Sequence, residues 1–190
     1  MLSIVSPSTC RLKVRPASPP PLSRRAEQRG ASLLEAIAFL GVAATIVVGA
    51  VALLTNAFSG ARSNRSQEEI AAISTGVKRL FMSQAGAYGT GSLNEVLIRA
   101  KVFPSTLAVN GTAVTNAWNG PVNVTGASTT FDISYGNVPQ QTCVELVATS
   151  GEWMGVSVNG SAGLTPPVSP AQAAEQCTDA TANTVTWTAR

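Results

Sequence analysis

Side chains able to do chemistry are few in this chain and poorly placed for catalysis. There is no histidine, charged residues make up only 12% of the sequence, and the three cysteines, Cys10, Cys143 and Cys177, stand far apart. Catalysis needs an acid, base or nucleophile held beside a partner. No carboxylates are paired at a recognisable spacing, and the many Ser and Thr hydroxyls are weak nucleophiles without a base. GTGS at 89–92 lacks the Lys-Ser/Thr that completes a phosphate loop. A metal site is disfavoured by the lack of histidine and of any close cysteine pair, and Glu145, Glu152, Glu175 and Asp179 are scattered. The chain is expected to be no enzyme and to need no cofactor.

One stretch does concentrate its signals. Arg24-Arg25-Ala26-Glu27-Gln28-Arg29-Gly30-Ala31-Ser32-Leu33-Leu34-Glu35 runs straight into Ala36–Leu54, 19 residues without a charge. As a helix that run measures about 28 Å, close to the ~30 Å hydrocarbon thickness of a bilayer. Gly30 leaves the backbone open to a protease just before the helix. Ser32 and Glu35, three residues apart, have the spacing of a capping box. Glu35 is also an anomaly, because a carboxylate on the threshold of an apolar segment is costly unless it finds a partner.

The charge distribution orients this segment. The net charge is +3, but residues 1–30 carry six basic residues against Glu27, or +5, while residues 31–190 carry seven against nine acidic, or −2. The basic character is thus a property of the leader and does not point to nucleic acid. A basic flank before a membrane segment stays cytoplasmic, which places residues after about 58 on the far side. Cys143 and Cys177 fall there, in an oxidising compartment, and are expected to pair rather than remain two buried thiols.

The remaining elements follow from periodicity. Residues 1–30, rich in Pro, Ser and Arg, cannot build a core. Residues 31–83 hold no proline and read as one long helix. Its first half is apolar all round, and its second half is amphipathic. Ile70, Ile73, Val77, Leu80 and Phe81 share one face, with Glu68, Glu69, Lys78 and Arg79 elsewhere. Ser59, Gly60 and Ser63 leave Asn56–Asn64 as a place for a break, and the glycines of QAGAYGTG at 84–91 end the helix. A short helix is expected at Leu93–Ala100, then a loop through Pro104, Asn110 and Gly111. PVNVTG and TTFDISY suggest a hairpin turning at Gly126–Ser128. QQTCVELVAT leans toward helix, WMGVSVNG and TVTWTA toward strands, and AQAAEQC toward a short helix. Trp118, Trp153 and Trp187 are expected in the core rather than as a sugar-binding set. The fold class is α+β: a long N-terminal helix packed on a small antiparallel sheet.

Gly30, Ser32, Leu33, Leu34 and Glu35 resemble, position for position, the class III signal of type IV prepilins. The resemblance implies cleavage between Gly30 and Ala31 by a prepilin peptidase, N-methylation of Ala31, and a role for Glu35 in setting register against a neighbouring subunit's terminal amine. Cys143 and Cys177 are similar to the pair bounding the C-terminal disulfide region of these subunits, and the SPAQAAEQC…NTVTWTA ending resembles the type IVb branch. The resemblance implies a leader at 1–30, a transmembrane and polymerisation helix at 31–83, and a pilin head at 84–190. It further implies a homo-oligomeric filament, an inner-membrane assembly platform and ATPase as partners, and passage from the inner membrane to an extracellular pilus for adhesion, aggregation, motility or conjugation. A minor pilin or a type II secretion pseudopilin carries the same signal. A membrane-anchored periplasmic binding domain that does not polymerise is the alternative of another class.

Overall fold

The structure, a computed structural model, describes residues 32–149 and 151–190; the leader expected at 1–30 lies outside them. Helix α1 runs unbroken from Leu33 to Leu80. The break considered at Asn56–Asn64 does not occur, because no proline interrupts the backbone ladder and Ser59, Gly60 and Ser63 are all tolerated within it. Two compact units divide within this helix, one reaching Ala44 and the other running from Thr45 to Arg190.

In the second unit α1 gives way to a short 3₁₀ turn at Met82–Gln84, stopped by Ala85 in the left-handed region and Gly86 at φ +77°. Strand β1 (Gly89–Ser92) and helix α2 (Asn94–Arg99) follow. The expected loop around Asn110 is a two-stranded hairpin instead, β2 (Ala108–Asn110) with β3 (Ala113–Thr115). Next come β4 (Val122–Ser128), β5 (Thr130–Val138) and α3 (Gln140–Ala148). Strand β6 (Gly155–Val158), α4 (Pro170–Gln176) and β7 (Asn183–Ala189) complete the chain.

The main sheet is antiparallel, in the order β1-β4-β5-β7-β6. Alternate residues of β4, β5 and β7 turn inward, so Val122, Val124, Phe131, Ile133, Tyr135, Val185 and Trp187 build the core with Ile70, Ile73 and Val77 of α1. Aromatic edges organise it: Tyr88 meets Phe131 at 4.8 Å and Tyr135 meets Trp187 at 5.9 Å, both edge-on. Trp118 and Trp153 pack partly buried against the same core. Leu80, expected on the buried face, is exposed.

The β4–β5 turn falls at Ser128–Thr129, not at Gly126–Ser128. Gly126 is required for another reason. Strand β1 pairs across it, and a Cβ there would stand 2.5 Å from the Tyr88 carbonyl oxygen. Buried asparagines tie loops to the sheet. Asn94 bonds both Val122 O and Val124 N–H. Asn116 accepts from Trp118 and Gly120 N–H while donating to Gly136 O. Asn183 donates to Val138 O. Helix α4 opens with a capping box between Ser169 and Gln172 and proline at its start.

Candidate functional site

The residues singled out by the prepilin-like signal cluster at the start of α1. Gly30 and Ala31, the expected cleavage position, lie outside the described residues. Ser32 directly precedes the helix, and its carbonyl accepts the Ala36 N–H at 3.0 Å. Leu33, Leu34 and Glu35 form the first turn, where a carboxylate interacts favourably with the helix dipole. Glu35 is exposed, as is every other described residue of this first unit, including Ile37, Phe39 and Leu40. Glu35 is the only charged residue between Ser32 and Ala61.

In the second unit the helix is just as apolar and just as exposed as far as Phe58, through Ile46, Val47, Val51, Leu53 and Leu54. Gly49 and Gly60 have open space where a Cβ would stand. Small residues of this kind let another helix approach closely. By length and composition α1 can cross a bilayer. A monomer in water does not keep so large an apolar surface, so this surface takes lipid or protein as its cover.

Burial begins at Ser63 and continues through Ser66, Glu69, Ile70, Ile73, Ser74 and Val77. Periodicity alone places Glu69 off this face, yet it is only 3% exposed. The correction is a polar cluster. Thr106 Oγ1 donates to Glu69 Oε1, the Tyr135 hydroxyl donates to Oε2 at 3.5 Å, and Arg65 Nε lies 3.4 Å from Oε1. Burial first, then the Glu69 charge and the hydrogen bond to it, push the Tyr135 phenol far above its ordinary range. The cluster therefore pins the helix to strand β5 and to the loop before β2 through the Glu69 side chain. Its signal lay in the spacing Ser66–Glu69–Ile73, which continues the buried stripe, and in Arg65 four residues before Glu69.

Beside this attachment, α1 and the segment before β6 border a groove of about 670 Å³. Ile70, Leu146, Trp153 and Trp187 line it, with Lys78 and Glu152 among its charged lining residues. Cys143 and Cys177 are disulfide-bonded with Cα atoms 5.9 Å apart and join α3 to the end of α4. Both are fully buried. Among the described residues no group of three His, Cys, Asp or Glu side chains is placed to hold a metal ion.

A long helix with an apolar, exposed first half, a five-stranded antiparallel sheet and a disulfide joining α3 to α4 together define the type IV pilin fold. Two solved structures share it. A type IVb pilin from Salmonella typhi aligns with a TM-score of 0.52 and 23% identity over 67% of this chain and 97% of its own. TcpA, a type IV pilin from Vibrio cholerae El Tor biotype, aligns with a TM-score of 0.50 and 14% identity over 68% and 99%. The family model described as PilS N terminal matches residues 60–190, and the chain belongs to that family as a type IVb-like pilin. Its relatives include the major structural subunit of bundle-forming pilus of Escherichia coli O127:H6 (strain E2348/69 / EPEC). That protein is 25% identical over 84% of this chain and 93% of its own length. The corresponding subunit of Escherichia coli O111:H- is 24% identical over the same shares.

Proposed function

We propose that this chain is a prepilin whose mature form is the major structural subunit of a type IV pilus. The observation that carries the reading is the exposed, uncharged surface of α1 with one carboxylate, Glu35, at its start. In the membrane that surface faces lipid. In a filament it faces the same helix of other copies, with the heads outside. An unpaired carboxylate in such surroundings is costly and a paired one is tolerated, so Glu35 selects the axial position at which a neighbour's terminal amine reaches it.

The leader at 1–30 holds the precursor with its basic end in the cytoplasm until a prepilin peptidase cuts after Gly30 and methylates Ala31. The helix at 31–83 then serves as membrane anchor and later as polymerisation surface, with the head at 84–190 delivered to the far side. An assembly platform and ATPase drive extraction into an extracellular filament, which acts mechanically and adhesively rather than catalytically. The relatives named as major subunits favour a major pilin over a minor pilin or pseudopilin.

Two measurements test this. Intact mass and N-terminal sequence should show a chain beginning at methylated Ala31 only in cells that possess the peptidase; a retained leader, or a cut after the apolar run, refutes the prepilin reading. Glu35→Ala should be processed and inserted but give a low filament yield, and a normal yield removes the register role.

A further inference from the structure

Three asparagines of the head are each followed by glycine: Asn110–Gly111, Asn119–Gly120 and Asn159–Gly160. Glycine leaves its backbone nitrogen unshielded, so in all three pairs that nitrogen can reach the preceding side-chain amide carbon once local geometry allows. We infer that Asn110 is a site of spontaneous deamidation and that the fold protects the other two asparagines.

Protection is visible in the hydrogen bonds. The Gly120 N–H donates to the buried Asn116 Oδ1 at 2.9 Å. A Cβ on Gly120 would stand 1.9 Å from the Gly136 carbonyl oxygen, so the backbone there is held against β5. At Asn159 the side-chain amide itself is fixed. Its Nδ2 donates to Asn183 Oδ1 at 3.0 Å, and its Oδ1 accepts the Thr184 N–H at 2.8 Å. Attack at either place requires tertiary bonds to break first.

Asn110 has no such restraint. Its side chain and the Gly111 N–H have no hydrogen-bond partner among the described residues. Gly111, at φ +61°, lies in the tight turn between β2 and β3, and all three residues of β2 are exposed. This hairpin forms a sheet of its own, closed by three residue pairs. Its base is held by the buried Val114 and a Thr115–Pro121 bridge, but the exposed tip at Asn110–Ala113 opens at far lower cost than a core strand. Opening frees the rotation that brings the two atoms together.

The reaction needs only water. The Gly111 nitrogen loses its proton and attacks Asn110 Cγ, forming a C–N bond. The Cγ–Nδ2 bond then breaks, and Nδ2 leaves as ammonia. Water opens the resulting five-membered imide at one of its two carbonyls, giving aspartate or isoaspartate. No oxidant or reductant takes part. Each event adds one negative charge at the hairpin tip beside Val109, itself 45% exposed. An extracellular subunit that is not resynthesised in place would accumulate this charge with age.

The test uses the full-length, disulfide-bonded protein in detergent micelles, incubated in mildly alkaline buffer and sampled over days. Trypsin leaves all three sites on one fragment, because no Lys or Arg lies between Lys101 and Arg190. Chymotryptic cleavage after Trp118 and Trp153 separates them for mass analysis. Asn110 should convert about tenfold faster than Asn119 or Asn159, the factor set by roughly one hydrogen bond that must break first. In urea with the disulfide reduced, the three rates should converge. Equal rates in the folded protein, no conversion at Asn110, or a gap that persists in urea would each overturn the inference.

Discussion

Glu69→Ala is the most informative single substitution in the head. Removing the carboxylate leaves the Tyr135 hydroxyl in a fully buried position with no acceptor and takes the acceptor from Thr106. Hydrogen bonds to a charged group contribute about 1.5–3 kcal/mol, and a stranded buried donor costs about 1–3 kcal/mol. The Arg65 side chain is 52% exposed, so its pairing with Glu69 adds only ~0–1 kcal/mol. These contributions overlap, and together they predict a loss of about 3 kcal/mol. For a domain of this size each kcal/mol lowers Tm by roughly 2–4 °C, so the midpoint should fall by about 6–12 °C. Near-ultraviolet circular dichroism reads this directly, because Trp187 packs against Tyr135. Glu69→Gln keeps the shape and one acceptor and should lose about half as much. A shift below about 3 °C in Glu69→Ala would refute the idea that this cluster holds the helix to the sheet.

Three further outcomes follow from geometry already described. The fold holds the Tyr135 phenol neutral, so its contribution is present below the ordinary phenol pKa of about 10 and is lost as pH rises beyond it. In Tyr88→Phe, phenolate absorbance should therefore appear together with unfolding, and ionisation in the folded protein near pH ~10 would contradict the burial. Cys143→Ser opens a loop of sequence separation 34 and should cost about 3–4 kcal/mol in a urea melt; an unchanged midpoint would deny the bridge a stabilising role. Gly120→Ala drives a methyl group into the Gly136 carbonyl and should cost about 1–3 kcal/mol, whereas a wild-type denaturation midpoint would mean that the turn yields freely.

The elements legible in the sequence are those whose residues declare a period locally. The long helix, α3, α4 and the alternation in β5 to β7 all follow from side chains that pack against one core. What stayed hidden was created by distant partners. Strand β1 is GTGS, with no apolar residue, and exists because β4 offers it an edge. The small hairpin around Asn110 likewise read as loop because three-residue strands carry no measurable period. Glu69 is the opposite case: a charged residue in an amphipathic helix reads as solvated, whereas Thr106 and Tyr135, 37 and 66 residues away, supply its donors. Ser32, Leu33, Leu34 and Glu35 stand at the start of α1, which runs from Leu33 to Leu80 against the 31–83 expected from the sequence.

The strand order carries a consequence for the timing of synthesis. Strand β7, the last in the chain, lies between β5 and β6. As the nascent head emerges, β6 exists before the neighbour it must pair with, and β5 has one open edge. Contacts between segments so far apart in sequence form late and slowly. The sheet therefore cannot close until Asn183–Ala189 has been delivered. Until that moment β5 and β6 each keep an edge that only β7 can fill, and chaperone demand should peak at the end of translation.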